Sequence, residues 1–222
     1  MNNIDFLTDV HTLTKRDYLG RVNDKEFPKY KAAKLAKKWA YDYWDGDRRI
    51  NYGGYKYIPG RWAGVAKKLI EYYKLTENSS VLDIGCGKGF LLYELKKILP
   101  SINIAGLDIS EYAIENSKEE IKKFLKVGNA TKLNFKDNNF DLAFSINTFH
   151  NLYNYELINA LTEIERVAKH KYICVESYRN EEEKQNLLYW QVTCEIFCNP
   201  DEWLWWFKTA KYTGDYSFIF FE

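Results

Sequence analysis

The residues of this chain best suited to chemistry lie on short stretches whose spacing is readable without a structure. Val81 to Ile84 is an apolar run holding one acid, Asp83, and it leads into Gly85-Cys86-Gly87-Lys88-Gly89-Phe90, where glycines alternate. A strand that ends in such a turn and opens a helix aims backbone N–H groups and the positive helix end at whatever lies above the sheet. Small polar ligands bind there, and missing Cβ atoms let them approach the main chain. Asp108 lies 19 residues beyond Gly89, and a carboxylate can accept two hydroxyl hydrogen bonds. The alternative is a strand-end aspartate that caps the next helix, which Ser110 could do instead. His150 is the best candidate for a general base, since an unperturbed imidazole titrates near neutrality; the alternative is a ring that packs at a strand end. Upstream, "YDYWDGDRRINYGGYKYIPGRW" gathers tyrosines with Arg48, Arg49 and Arg61. Tyrosine offers an apolar body with a polar tip, and arginine forks toward carboxylate or phosphate.

From residue 80 onward, short apolar runs alternate with helical patterns, the rhythm of a parallel sheet wound by crossover helices. Strands are predicted at Ser80–Ile84, in "NIAGLDIS", in "FLKVGNA", in "FDLAFSINT" and in "KYICVESY". Helices are predicted from Phe90 to Leu99, from Glu111 onward with Ser110 as N-cap, and through "ELINALTEIERVAK". In the C-terminal third, "LLYWQVTCEIF" reads as a strand, Pro200 starts a helix, and "DYSFIFFE" closes as an antiparallel edge strand. Before residue 60, "KYKAAKLAKKWAYDYW" is helix-forming, and "RWAGVAKKLIEYYKL" is one more helix leading into the first strand. The fold class expected is α/β, a Rossmann-like, doubly wound, mostly parallel sheet with an antiparallel C-terminal edge strand and an N-terminal helical segment.

Composition narrows the function. The 222 residues carry 32 basic and 31 acidic side chains, a formal net charge of +1, so no long-range field marks a nucleic-acid or membrane-surface binder. Lysines at 29, 31, 34, 37 and 38 read as a solvated helix face. No apolar stretch reaches the ~20 residues of a membrane span, and the N-terminus lacks a secretory pattern, so a cytoplasmic protein is expected. Four scattered cysteines read as reduced thiols, and Cys194 with Cys198 supplies half a zinc shell, so no metal is expected. Helical geometry cannot bury Trp203, Trp205 and Trp206 in one core, so an exposed one is expected to rim an acceptor pocket or a dimer interface. A monomer or homodimer is expected.

Dinucleotide dehydrogenases need a small residue at the sixth place of G-x-G-x-x-G, where this chain has Phe90. A nicotinamide-dependent dehydrogenase is thereby disfavoured. "VLDIGCGKG" instead resembles the first motif of the class I S-adenosylmethionine-dependent methyltransferases, and the likeness continues in order over residues 60–178. The resemblance implies S-adenosyl-L-methionine as cofactor and S-adenosyl-L-homocysteine as product. It places the main chain of Gly85, Cys86, Gly87 and Gly89 along the cofactor's amino acid end, which Asp83 helps to orient. Asp108, with Ile109 beside it, takes the ribose hydroxyls, near the ~20-residue spacing of a ribose-binding acid. Asn129 and Ala130 meet the adenine edge, the Asn129 side chain accepting from the exocyclic amine and the Ala130 N–H donating to a ring nitrogen, although many relatives carry aspartate at the first of these positions. Ser145 touches the cofactor, Asn147 sits near the sulfonium, and His150 or Asn151 faces the acceptor. Sequence before the first strand folds over the cofactor as a lid in this family, which divides the chain into a Tyr/Arg-rich lid at 1–60 and a cofactor-binding domain at 61–222.

Tyr52, Tyr55 and Tyr57 of that lid cover the cofactor and wall the pocket, Arg61 just after it reaches the methionine carboxylate, and Arg48 with Arg49 in the lid holds an anionic acceptor. The fourth strand lacks the Asn/Asp-Pro-Pro-aromatic signature of enzymes that methylate adenine or glutamine nitrogens. "YWDGDRRINYGGYKYIPGRW" also resembles small bacterial methyltransferases associated with surface-polysaccharide assembly. That likeness implies a sugar, nucleotide-sugar or phosphoryl-type precursor of capsule as acceptor. The expected activity is methyl transfer to oxygen or nitrogen of a small, polar, anionic molecule; the rival reading is a silent cofactor-binding module that recruits a partner.

Overall fold

The computed structural model describes residues 1–11 and 16–222. The N-terminal part holds α1 (Thr8–His11), α2 (Tyr18–Asn23), α3 (Lys29–Ala36), α4 (Tyr41–Trp44) and α5 (Ala63–Tyr73). The alternating part follows as β1 (Ser80–Ile84), α6 (Phe90–Ile98), β2 (Asn103–Asp108), α7 (Glu111–Glu115), α8 (Glu119–Lys122), β3 (Leu125–Val127) and β4 (Phe140–Ile146). A 3-10 turn at Phe149–Asn151 precedes α9 (Asn154–Val167), β5 (Ala168–Glu176), α10 (Glu181–Trp190), α11 (Pro200–Thr209) and β6 (Asp215–Ile219).

The strands form one six-stranded sheet in the order β3-β2-β1-β4-β5-β6. All five neighbouring pairs are parallel. Chain order reverses between β1 and β4, and at such a switch the outgoing connections diverge to leave a crevice beyond the strand ends. The central strands are buried on both faces, which is why they read as continuous apolar runs. Successive residues of β1 divide between the two sides: Val81 joins Leu69, Leu92 and Tyr172 in one core, and Leu82 joins Leu161, Trp203 and Phe207 in the other.

The C-terminal edge strand corrects the expectation of an antiparallel partner, since β6 runs parallel to β5 with Tyr172 opposite Asp215 and Glu176 opposite Ile219. The cause lies in the connection. "LLYWQVTCEIF" is no strand: its first four residues finish α10, and the rest passes over the 3-10 turn, where the amides of Glu195 and Ile196 donate to the His150 carbonyl. With α10 and α11 both between β5 and β6, the chain makes a full crossover and re-enters the sheet in its original direction. Two other long helical patterns are interrupted. Trp39 takes a left-handed φ of 54° between α3 and α4, and Asn116 ends α7 before α8 begins.

The first residues of the chain belong with the sheet. Asn3 bridges Tyr216 on β6, the Ile4 amide donates to the Tyr216 carbonyl at 2.8 Å, and Phe6, Leu7 and Val10 enter the same core as Val81. A third cluster, with Ala32, Ala36, Tyr43, Trp44 and Ile50 packed on Ala113 and Val192, forms an aromatic layer over the strand tips. Among the described residues no helix is long and apolar enough to cross a membrane. Trp205, 59% exposed, lies with Trp206 and Cys198 on a shallow groove of α11 away from the crevice, so it does not rim that pocket.

Trp203 ties the second core to the crevice, being fully buried with its indole N–H donating to the Glu176 carbonyl at 3.0 Å. Trp203→Ala is expected to cost roughly 3–5 kcal/mol of unfolding free energy in urea titration followed by fluorescence; a loss below ~1 kcal/mol would deny it that role.

Candidate active site

The glycine turn is held by positive φ values of 82° at Gly85, 53° at Gly87 and 73° at Gly89, a region in which a Cβ is strained. What a Cβ would meet is protein at all three positions. At Gly85 it would fall on the Thr148 side chain, at Gly87 on the Trp44 ring at 2.9 Å, and at Gly89 on Ile121 and Leu125. Gly89 is therefore a packing and turn residue off the cavity wall, while Gly85, Cys86 and Gly87 line the cavity. The turn's amides are largely used internally, Gly85 and Cys86 donating to the Leu107 carbonyl and Gly89 to that of Cys86.

The Gly87 amide donates to Asp108 Oδ2 at 2.7 Å, and Ser110 N–H donates to Oδ1 at 2.8 Å. The carboxylate keeps further accepting capacity. Burial pushes the Asp108 carboxyl up, and amide hydrogen bonds from Ser110, Gly87 and Ile109 act against that shift. Ser110 does cap α7, its Oγ accepting from the Ala113 amide. Asp83 lies buried beneath the turn and off the cavity wall, its carboxyl pushed up first by burial and then by Asp108.

One cavity of about 730 Å³ runs from the tips of β1, β2 and β3 to the ends of β4 and β5. Ile109, Asn129, Ala130, Asn147, His150 and Asn151 line it, as expected from their positions after strand ends. The Asn129 Oδ1 corrects one expectation. It already accepts from both the amide and the hydroxyl of Thr131 at 2.9 Å, so it has no lone pair left for an amine, and the unused group is its Nδ2 donor. The Ala130 amide makes no hydrogen bond among the described residues. Ser145 is fully buried off the wall, where its hydroxyl donates to the Ile84 carbonyl at 2.9 Å and ties β4 to β1.

The aromatic layer forms the outer wall. Tyr52 is 38% exposed yet dense protein surrounds it, and burial pushes its hydroxyl up to about 12; it faces the cavity rather than open water. Its ring stacks on Trp44 at 5.5 Å, and Tyr55 stacks on Phe90 at 5.1 Å. Tyr57 instead turns outward, off the cavity, to pack on Tyr93 and donate to Glu94. Asp45 fastens the layer, accepting from Lys88 Nζ at 2.6 Å, from Tyr112 at 2.8 Å and from the Tyr55 amide at 2.9 Å. Arg61 lines the cavity with no hydrogen-bond or ion-pair partner for its guanidinium among the described residues. Arg48 lines it too, but Arg49 does not: its guanidinium is paired with Asp47 and Glu26 outside. Adjacent arginines point apart here, so sequence neighbours do not act as a pair.

The inner end holds a group that spacing did not single out. Glu176, the last residue of β5, is 6% exposed and lines the cavity. Its Oε1 accepts from Gln191, and its Oε2 is buried with no hydrogen-bond donor. Burial pushes its carboxyl up to about 8, against the pull of Arg16 and Gln191. His150, 2% exposed, turns both ring nitrogens toward this residue: Nδ1 accepts from the Glu176 amide at 3.3 Å, which leaves the proton on Nε2, 3.4 Å from Oε2 but not aligned as a hydrogen bond. Burial pushes His150 down to about 3, so the ring is neutral and unsuited to titrate near neutrality. Asn147, at a left-handed φ of 55°, and Asn151 each carry a buried Oδ1 without a partner. A strand end carries no local signal for a base. Only the sheet order, which sets β5 beside β4, brings Glu176 to His150.

Comparison with known proteins bears on the family and the fold. The model of a family described as a methyltransferase domain matches residues 75–211. A demethylmenaquinone methyltransferase of Lactiplantibacillus plantarum is 33% identical over 121 residues, 50% of each chain. An uncharacterized methyltransferase of Schizosaccharomyces pombe is 28% identical over 120 residues, 48% of this chain and 41% of its own. The chain thus spans half or less of the length of these curated relatives. A chain in the complex between the Haloferax volcanii Trm112 methyltransferase activator and a methyltransferase shares the fold with a TM-score of 0.52 at 22% identity, over 67% of this chain and 74% of that one.

The raised Glu176 carboxyl has a sign. Protonated Glu176 contributes stability that is complete below the ordinary carboxyl range and is lost as pH rises through about 8. His150, depressed, contributes stability present above the ordinary histidine value and lost as pH falls toward about 3, a term shared by wild type and variant. Between pH 5 and pH 9, the stability of Glu176→Gln relative to wild type should therefore improve by roughly 2–4 kcal/mol, read by chemical denaturation at each pH. A difference that stays constant over this range would mean the carboxyl is already ionised.

Proposed function

The chain belongs to the methyltransferase domain family, and from that premise we propose that it is an S-adenosyl-L-methionine-dependent enzyme that methylates oxygen or nitrogen of a small, polar, anionic acceptor. One observation supports the reading most directly: a single cavity joins Asp108, whose amide-bound oxygens still have accepting capacity, to Glu176, whose Oε2 is buried without a donor. When bound, the cofactor supplies a methyl group activated by a positively charged sulfur. Asp108 holds the ribose hydroxyls, the Ala130 amide meets the adenine edge, and Arg61 takes the amino acid carboxylate. Trp44, Tyr52 and Tyr55 exclude water from above.

Glu176 is the better base than His150. It lines the cavity, and a carboxyl near 8 is matched to a proton accepted close to physiological pH. As the acceptor attacks, its proton passes to Glu176 Oε2. His150 stays neutral and fixes Glu176 through the backbone amide, and the unpartnered oxygens of Asn147 and Asn151 orient the acceptor. The resemblance of residues 43–62 to enzymes of surface-polysaccharide assembly favours a sugar or phosphoryl-type precursor of capsule as acceptor.

Asp108→Ala should weaken S-adenosylhomocysteine binding by at least ~1 kcal/mol in calorimetry, and unchanged affinity would remove Asp108 from the site. Turnover of labelled cofactor with a panel of sugar phosphates and sugar acids tests the rest. The wild-type kcat/KM should climb with pH and level off above about 8, where Glu176 is ionised. Glu176→Gln should lower the rate ~100-fold or more and flatten the limb, while His150→Ala lowers the rate with cofactor affinity intact. A limb that survives in Glu176→Gln would assign the proton transfer elsewhere. Tight cofactor binding with no product from any acceptor would describe a silent binding module.

A further inference from the structure

We infer that the end of the cavity beside Trp190 is an anion subsite built by Arg16, Arg21 and Arg48, and that the acceptor carries a phosphate or carboxylate only a few bonds from the atom that is methylated. This rests on the methyl-transfer reading and goes beyond it in naming the substrate class.

The indole of Trp190 gathers three guanidiniums, whose carbons lie 4.9 Å (Arg21), 5.3 Å (Arg48) and 5.9 Å (Arg16) from its centroid. Trp190, Arg16 and Arg48 line the cavity, and Arg21 packs behind them. The Trp190 ring is shared among three cations that repel one another, and Arg16 lies nearer still to Phe221, 4.7 Å from its centroid. The strain is visible at Arg21, which burial, and then the Arg48 charge, push down to about 10. Among the described residues no carboxylate reaches ion-pair distance of Arg21 or Arg48, whereas neighbouring Arg49 is paired with acids. Arg21 Nη2 donates to the Ile50 carbonyl at 2.9 Å, and its Nε is buried without a partner. Arg48 Nη1 donates to the Asn51 carbonyl, which leaves its other N–H groups to spare. The C-terminal end of α10, where Trp190 lies, offers only the partial negative charge of its last carbonyls. Arg48 on the cavity wall and Arg21 behind it, with no carboxylate at ion-pair distance among the described residues, fit an anionic ligand.

The distance to the reacting atom follows from adjacency. Trp190 carries the arginines, and the next residue, Gln191, donates to Glu176 Oε1. Consecutive Cα atoms are ~3.8 Å apart. Arg16 lines the same cavity and feels the charges of both Arg48 and Glu176. An acceptor whose anion sits on the arginines while its hydroxyl or amine meets Glu176 is therefore small.

The test uses the full chain saturated with S-adenosylhomocysteine, with inorganic phosphate and acetate as probes against chloride at equal ionic strength. Thermal midpoint and calorimetry should show wild type binding at least one probe. A response to phosphate points to a phosphoryl acceptor, and one to acetate alone points to a carboxylate acceptor. Arg48→Gln should weaken that response at least ~10-fold, Arg48→Lys should fall between, and Arg49→Gln should match wild type. S-adenosylhomocysteine affinity, measured in each variant, reports folding; if Arg48→Gln loses it, Arg48→Lys becomes the deciding comparison. Retained S-adenosylhomocysteine binding without a response to either anion, or an equal loss in Arg49→Gln, overturns the subsite alone. Wild type that binds no S-adenosylhomocysteine overturns the methyltransferase reading beneath it.

Discussion

The closure of the glycine turn back onto Asp108 is the constraint that organises the rest. The Gly87 amide reaches the carboxylate only because the turn is left-handed at residues 85, 87 and 89, and Ser110 secures the other oxygen from the start of α7. An acid this deeply buried is costly unless hydrogen bonds compensate it. Here the compensation comes from the two segments that the site must hold in register. Ser110 extends the link outward, its hydroxyl accepting from Trp44 Nε1 at 2.8 Å and donating to the Trp39 carbonyl. Strand tip, turn, helix N-terminus and aromatic layer are thus joined at a single carboxylate.

Asp45 makes the second junction. Lys88, which stands between two glycines, is 5% exposed and reaches across to Asp45, which Tyr112 and the Tyr55 amide also hold. Burial raises the Asp45 carboxyl, but hydrogen bonds from Lys88 and Tyr112 outweigh it and hold it below its ordinary value. The layer that closes over the cavity is thereby attached to the turn beneath it. Phe90, the residue that excluded a dinucleotide motif, is the platform on which Tyr55 stacks. The departure in sequence and the aromatic cover have one physical origin.

The parallel core and its crevice were legible because β1, β2, β4 and β5 are buried on both faces and so announce themselves as apolar runs. Ser110 was readable as a cap, and Asp108 as the acid of the second strand, since both signals are local. The direction of β6 was not local. It depends on whether residues 187–197 form a strand or finish a helix, and "LLYWQVTCEIF" carries apolar residues compatible with either. Arg49 was misplaced because two adjacent arginines look alike until Asp47 and Glu26 claim one of them. Asn129 misled in a similar way, its oxygen being taken by Thr131 two residues on. Glu176 and Trp190 were invisible as site residues since their partners, His150 and three arginines, come from distant parts of the chain.

The inner cavity also couples charge to occupancy. Burial pushes Asp108 and Glu176 up, Glu176 to about 8, and His150 down to about 3, so at neutral pH the Glu176–His150 end carries little charge beyond its arginines. A positively charged ligand near these acids favours their ionised forms, and an anion on the arginines offsets the repulsion that lowers Arg21. Each ligand therefore relieves a different electrostatic cost. In the proposed reaction the cation would lower the carboxyl of Glu176 toward the state that accepts a proton, and the anion held by Arg48 would belong to the molecule that gives one up. Burial, which makes either group unfavourable alone, makes the site responsive to both together.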